Sequence, residues 1–162
     1  IEKSLIETQY ISLNSKMAVA EAFEVFNSSN ESNLPVIDNG VFRGILFKNQ
    51  VSDNKQNNLT VADLRDQFRQ VSVNEDTRMV SALKKMVSEG VALLPVLNQE
   101  GEIKGVMRAK HLWNEFASRS SMLGEGSWII LTMPKKDFSL SRISHLIESH
   151  DLFLVMHFVQ FY

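Results

Sequence analysis

Few side chains in this sequence could do chemistry, and the common catalytic motifs are missing. The chain has 162 residues, four histidines and no cysteine, which excludes disulfides, thiolate metal sites and cysteine nucleophiles. His145 and His150 are five positions apart, so they do not share a helix face as paired metal ligands do. The sequence contains no HExxH, GxSxG, P-loop or GxGxxG motif. We therefore predict a protein that is not an enzyme and holds no metal.

One cluster of basic residues could bind a ligand. Arg108, Lys110 and His111 lie within four positions at the predicted start of a helix, where backbone N–H groups also attract anions. This pattern favours a phosphate or carboxylate ligand, such as a small anionic metabolite. The alternative is a solvated helix end, in which the Arg and Lys stems cover apolar surface.

Charge and hydropathy restrict the partners. Lys and Arg number 17 and Asp and Glu number 19, a net charge of −2 that argues against a nucleic-acid-binding protein. No apolar run approaches the roughly 18 residues that a membrane helix needs. The segment Ile1–Tyr10 has no signal-peptide core. We expect a cytoplasmic globular protein with neither nucleic acid nor membrane as a partner.

An internal repeat must position the basic cluster. Ile11–Ile37 and Val71–Leu97 lie sixty positions apart and share seven identities. Two of the three prolines and four of the seven glycines fall at paired positions. The paired residues are Pro35 and Pro95, Gly40 and Gly101, and Gly44 and Gly105.

Each repeat predicts the order strand, helix, strand, strand, helix. Alternating apolar residues predict short first strands, helical spacing predicts the first helix, and a glycine turn joins the last two strands. Asn14 and Asn74 are predicted turn or cap residues. The polar stretch Ser52–Asn58 is predicted to be a surface loop. The predicted strands are Ile11–Leu13, Leu34–Ile37 and Val41–Phe47 in the first repeat, and Val71–Val73, Leu94–Leu97 and Glu102–Arg108 in the second.

The Leu-Pro-Val strands, each followed by the paired glycines, resemble the CBS domain, named for cystathionine β-synthase. The resemblance implies an α/β (α+β) fold, in which two βαββα repeats pack as a pseudo-two-fold pair. It places the repeats at residues 1–58 and 59–120. It also implies a regulatory module, commonly a homodimer, with two clefts that hold adenosine nucleotides in many members.

The sequence departs from the family pattern Gly-x-x-Thr/Ser-x-x-Asp, whose hydroxyl holds phosphate and whose acid holds ribose. Phe47 and Gln50 stand at these places in the first repeat, and Arg108 and His111 in the second. An adenosine nucleotide is therefore disfavoured, and no cofactor is assigned. The resemblance gives as candidate ligand-binding residues Ser12, Leu13, Leu34, Phe47, Gln50, Ser72, Val73, Leu94, Arg108, Lys110 and His111.

Residues 127–162 predict a β-α-β unit that resembles the first half of an ACT domain. The predicted strands are Trp128–Met133 and Leu152–Tyr162, and the helix follows Ser139 as its N-cap. Bacterial regulators that join a CBS pair to an ACT segment, including the acetoin utilisation regulators, are similar. The last predicted strand is apolar on both faces, so a further stretch of chain or a second subunit must cover it.

Two functions remain open at this stage. One is a non-catalytic regulatory module that senses a small metabolite, either an adenosine nucleotide or another anion, and modulates a partner or its own assembly. The other is a structural module that binds no ligand and mediates oligomerisation. The missing hydroxyl and acid favour the second function, whereas the intact repeats and the basic cluster favour the first. A homodimer, with the tail in its interface, is predicted in both cases.

Overall fold

The computed structural model describes residues 3–55, 58–119, 129–151 and 154. They belong to two units, Ile1–Trp113 and Asn114–Tyr162. Both repeats, apart from the residues after Trp113, lie in the first unit and mix helices with strands, so the predicted fold class is confirmed. The first repeat contains α1 (Val19–Ser29), β1 (Asn33–Asp38), β2 (Val41–Phe47) and α2 (Lys48–Asn54). The second contains β3 (Val73–Asn74), α3 (Met79–Glu89), β4 (Leu93–Leu97), β5 (Ile103–Arg108) and α4 (Ala109–Arg119).

Local sequence explains where the first helix of each repeat ends. The left-handed residue after α1 is Asn30, and the one after α3 is Gly90, and both types tolerate that backbone conformation. Asn14 forms a turn rather than a helix cap, because its Oδ1 accepts from the N–H of Lys16 at 2.8 Å. Asn74 is the last residue of β3 and begins a turn, because its carbonyl accepts from the N–H of Thr77 at 3.0 Å.

The two predicted hairpins are confirmed, and they share one irregularity. Strands β1 and β2 pair antiparallel, as do β4 and β5, and the register shifts at Val36/Ile37 and at Val96/Leu97. The first turn has Asn39 and Gly40 at positive φ, as a two-residue turn requires. The hairpins bring both closing strands, β2 and β5, to the starts of the helices that carry the candidate site residues.

Each repeat also contributes a segment to the sheet of the other. Glu7 bridges Val106 in β5, and Arg69 bridges Ile45 in β2, both antiparallel. We call residues 5–8 and 67–70 the first and second crossing segments. The exchange is reciprocal, so neither repeat completes its own sheet. The core of the first repeat therefore also includes Val61 and Leu64, which come from the chain that leads into the second.

A buried asparagine joins the starts of the two central strands. Asn33 is fully buried, and its Nδ2 donates to the carbonyl of Leu93 at 2.7 Å. Its Oδ1 accepts from the N–H groups of Ala92 at 3.0 Å and Leu93 at 3.2 Å. Three hydrogen bonds thus link β1 to β4 in a place without solvent. The equivalent position in the second repeat is Leu93 itself, so this contact exists once rather than twice.

Three element predictions are wrong. Ile11–Leu13 forms no strand, because only Leu13 bridges a neighbouring strand, in parallel with Val36. Ser52–Asn54 belongs to α2, because the buried Val51 anchors that turn and the Asn54 side chain bonds back to the carbonyl of Gln50 at 2.8 Å. Residues 129–133 form no strand, since no strand pairs with them within the described part of the chain. The predicted strand Leu152–Tyr162 lies outside the described residues, apart from position 154.

Besides the end of α4, the second unit has one described α-helix. α5 (Leu140–Glu148) follows Ser139, whose side chain accepts from the N–H of Arg142, so the predicted N-cap is confirmed. The predicted turn before it contains a short 3-10 helix, Lys135–Asp137.

In the described ranges, no helix is long and apolar enough to cross a membrane.

Candidate functional site

We call the two places where a closing strand, the following helix and a crossing segment meet the first and the second cleft. The first lies at the end of β2 beside the second crossing segment. The second lies at the end of β5 beside the first crossing segment. Glycine permits this close approach. A Cβ atom on Gly44 would lie 2.8 Å from Cβ of Phe68, and one on Gly105 would lie 2.5 Å from the carbonyl oxygen of Glu7.

An aromatic ring and a guanidinium fill the first cleft. The guanidinium carbon of Arg69 lies 5.1 Å from the ring centroid of Phe47, a favourable cation–π contact. Arg69 also donates to the carbonyl of Glu89 at 3.0 Å and pairs with the carboxylate of the same residue. The ring therefore stands where the resemblance expects a phosphate-binding hydroxyl.

Gln50 in the first cleft already uses both ends of its side-chain amide. Its Oε1 accepts from the N–H of Phe47 at 2.8 Å, and its Nε2 donates to the carbonyl of Gln67 at 2.9 Å. These bonds cap the start of α2 and hold the second crossing segment. The residue that replaces the ribose-binding acid is thus part of the scaffold.

Charged side chains converge in the second cleft. Arg108, at the end of β5, pairs with Glu7 through Nη1 and with Glu31 at 2.8 Å through Nε. Glu7 comes from the first crossing segment, and Glu31 from the loop between α1 and β1. All three side chains are mostly buried. Burial raises the pKa of Glu31 even though the guanidinium lies beside it.

His111 approaches the same carboxylate. Its Nδ1 lies 2.8 Å from Oε1 of Glu7, an ion pair when the imidazole is protonated, although the oxygen accepts no hydrogen bond. In the described ranges, that oxygen is the one buried side-chain oxygen or nitrogen atom without a hydrogen-bond partner. Lys110 is exposed on α4. The structure therefore brings Arg108 and His111 together and leaves Lys110 at the rim.

An apolar groove lies between α3 and α4. It has a volume of about 330 Å³ and is lined by Leu83, Met86, Val87, Val91 and Trp113, with Ser32, Gly90, Ala92 and Ala109. Glu31 and Arg108 precede two of these residues in the chain but do not line the groove themselves.

The remaining candidate residues do not present their side chains to a cleft in the same way. Leu13, Leu34 and Leu94 are fully buried and Val73 is nearly so, which makes them core residues. Ser12 and Ser72 are partly exposed, and the carbonyl of Ser72 accepts from Nζ of Lys85 at 2.6 Å. A role for these residues in ligand binding stays a prediction.

Sequence reasoning missed the acidic partners of the basic cluster. Glu7 and Arg69 occupy equivalent bridge positions in the two crossing segments and carry opposite charges. That reversal was a signal that the clefts differ, but it is visible only once the crossing segments are aligned.

In the described part of the chain, no group of three or more His, Asp or Glu residues could hold a metal ion.

Comparison with known proteins identifies one family and many solved structures that share this fold. A family model described as the CBS domain matches residues 3–51 and 61–112. No curated protein sequence matches the chain.

The solved structures agree on the fold at low sequence identity. A CBS domain pair/ACT domain protein from Thermotoga maritima is 19% identical, with a TM-score of 0.63 over 72% of this chain and 95% of its own. The CBS domains of a transcriptional regulator from Streptococcus pneumoniae are 18% identical, with a TM-score of 0.60 over 68% of this chain and 94% of theirs. A protein called CBSX2, solved in complex with AMP, is 16% identical, with a TM-score of 0.61 over 71% of this chain and 94% of its own.

Proposed function

Because the chain belongs to the CBS domain family, we propose that it is a non-catalytic regulatory module that senses a small anionic metabolite. CBS domain pairs are regulatory modules that often bind adenosine ligands. In this proposal, the second cleft holds the ligand and the first is structural. Ligand binding changes how the module acts on a partner protein or on its own assembly.

The observation that supports this assignment is the position of Arg108. Its guanidinium lies at the end of β5, immediately before α4, and pairs with Glu7 and Glu31 of the first repeat. Arg can bind a phosphate or carboxylate through two parallel hydrogen bonds.

Adenosine nucleotides fit this chain less well than they fit its relatives. CBSX2 was solved with AMP, and the CBS domain pair of the protein MJ0100 with 5′-methylthioadenosine and S-adenosyl-L-methionine. Here Gln50 and His111 replace the acids that would hold a ribose. Gln50 is also bonded to the backbone on both sides. A phosphate- or carboxylate-bearing metabolite without a ribose is the better candidate.

A thermal-shift screen of adenosine nucleotides, S-adenosylmethionine, amino acids and small phosphorylated or carboxylated metabolites tests this proposal. A ligand present at 100 times its dissociation constant adds about 2.7 kcal/mol to the stability of the folded state, which is readily detected. We expect a non-nucleotide anion to stabilise the chain more than AMP or ATP does. Arg108→Ala should abolish that stabilisation.

Gln50→Ala serves as the matched variant in the first cleft and should keep the response to the ligand. A response that survives Arg108→Ala, or a micromolar affinity for AMP or ATP, would contradict the assignment.

The second candidate function is ligand-free association. Ile129, Ile130 and Leu131 are more than half exposed, as is Leu146 on α5, so the second unit carries an apolar surface that a partner could bury. A homodimer through residues 127–162, the ACT-like nature of that unit and its similarity to acetoin utilisation regulators stay proposals. Light scattering at micromolar concentration tests the dimer, because a monomer would exclude it.

A further inference from the structure

The carboxylate of Glu7 takes up a side of Arg108 that an anionic ligand would need. We propose that Glu7 is an internal competitor for Arg108, so that an anion enters the second cleft by displacing it. This inference rests on the proposed function, since it concerns how that same cleft responds to its ligand. It assigns the first crossing segment, residues 5–8, a regulatory part.

Backbone contacts fix the competitor in place. The N–H of Glu7 donates to the carbonyl of Val106 at 2.9 Å, and the N–H of Val106 donates back at 3.0 Å. Leu5, two residues earlier in the same segment, is buried. The carbonyl of Glu7 packs so closely on Gly105 that no larger residue fits there. These backbone contacts therefore place the Glu7 side chain beside Arg108 independently of the ion pair.

The carboxylate is nonetheless imperfectly satisfied. Its Oε1 is buried and has no hydrogen-bond partner, although Nδ1 of His111 lies 2.8 Å away, and a buried polar atom without a hydrogen bond costs free energy. A ligand that removes the side chain from this position relieves that cost. The two backbone hydrogen bonds of Glu7 do not involve the carboxylate, so the side chain can rotate away while the segment stays attached.

Arg108 keeps its orientation when Glu7 leaves. Glu31 accepts from Nε at 2.8 Å, whereas Glu7 contacts Nη1. Displacing Glu7 thus opens one edge of the guanidinium, and the other edge stays held. Arg108 is then a pre-positioned anion receptor.

Only the second cleft has such an internal competitor. In the first cleft, the equivalent crossing residue is Arg69, which lies over the ring of Phe47 and pairs with Glu89 of its own repeat. The closing strand there ends in a phenylalanine, and the one cation described beside it, Arg69, is already held by the Phe47 ring and Glu89. The reversed charge of Glu7 and Arg69 therefore separates a regulated cleft from a structural one.

Calorimetry with inorganic pyrophosphate as the probe tests the inference on the full chain. Glu7→Gln removes the charge and keeps the size and the backbone bonds of the residue. Because the competing side chain then carries no charge, we expect this variant to bind pyrophosphate about tenfold more tightly than the unmodified chain, a difference of about 1.4 kcal/mol. Glu24→Gln is the matched control, because it removes one exposed carboxylate on α1 and should leave the affinity unchanged.

Each outcome separates the inference from the proposed function. Equal affinity in Glu7→Gln and the unmodified chain would overturn the competitor and leave the anion site standing. No binding by either protein would overturn both. An equal gain in Glu24→Gln would show a general charge effect and would also overturn the competitor. Glu7→Ala, which deletes the carboxylate entirely, provides the same comparison should Glu7→Gln fail to fold.

Discussion

Replacing Asn33 with alanine is expected to lower the free energy of unfolding by about 3 kcal/mol, because buried hydrogen-bonding groups left unpaired cost about 1–3 kcal/mol each. The variant leaves three backbone groups of β4 and its approach, two N–H donors and one carbonyl, without the side chain that satisfies them. The residue is fully buried, so water cannot easily replace the amide. Chemical denaturation followed by circular dichroism measures the loss.

Asn27→Ala is the matched control for this experiment. Asn27 is exposed on α1, so its replacement should change stability by less than about 0.5 kcal/mol. A loss below about 1 kcal/mol for Asn33→Ala would contradict the account, since even a single orphaned group costs about that much. It would mean that the contact between β1 and β4 is not a principal link between the repeats.

Gly105→Ala is expected to destabilise the fold by about 3 kcal/mol, the upper end of the usual cost of forcing extra atoms into a packed site. The new Cβ would lie 2.5 Å from the carbonyl oxygen of Glu7 and 2.6 Å from Cγ2 of Ile6. Backbone atoms cannot move aside as a flexible side chain can. The first crossing segment must therefore leave β5, and it takes Glu7 away from Arg108.

Substitution of the turn residue Gly101 distinguishes the steric clash at Gly105 from the cost of backbone strain. Gly101 also has a positive φ of 80°, but a Cβ there would meet nothing within 4 Å. Gly101→Ala should therefore cost only the strain of a left-handed alanine, about 1 kcal/mol. Thermal unfolding of both variants makes the comparison. Equal losses would show that the crossing segment is not packed against Gly105 as described.

The fold of the repeats could be predicted from sequence because its signals are local. Paired glycines and prolines marked the hairpins, and β2 begins and ends at the predicted residues, Val41 and Phe47. Helical apolar spacing located α1 and α3. Each of these signals lies within a few residues of the element that it specifies, so one chain was enough to find them.

The contents of the clefts could not be predicted because they depend on distant residues. Arg108 meets Glu7 across 101 positions and Glu31 across 77. Considered alone, the basic residues resembled an open anion site, because no residue near them in the sequence indicated that a carboxylate would pair with Arg108. The link through Asn33 was hidden for the same reason, because its partners lie in the other repeat.

The tail shows the opposite limit of local reasoning. Ile129–Met133 has the apolar and β-branched composition of a strand, yet a strand forms only when another strand accepts its hydrogen bonds. None does so in the part of the chain that the structure describes. Composition therefore indicated a tendency to form a strand, but without a pairing partner the segment is not one.

The central claim, that the second cleft binds the ligand and the first is structural, is tested most directly by an amide-resolved NMR titration with pyrophosphate. We predict that the shifted amides cluster around Glu7, Arg108 and His111, and that those of Phe47 and Gln50 stay in place. Shifts centred on Phe47 and Gln50, or no shifts at all, would contradict the account.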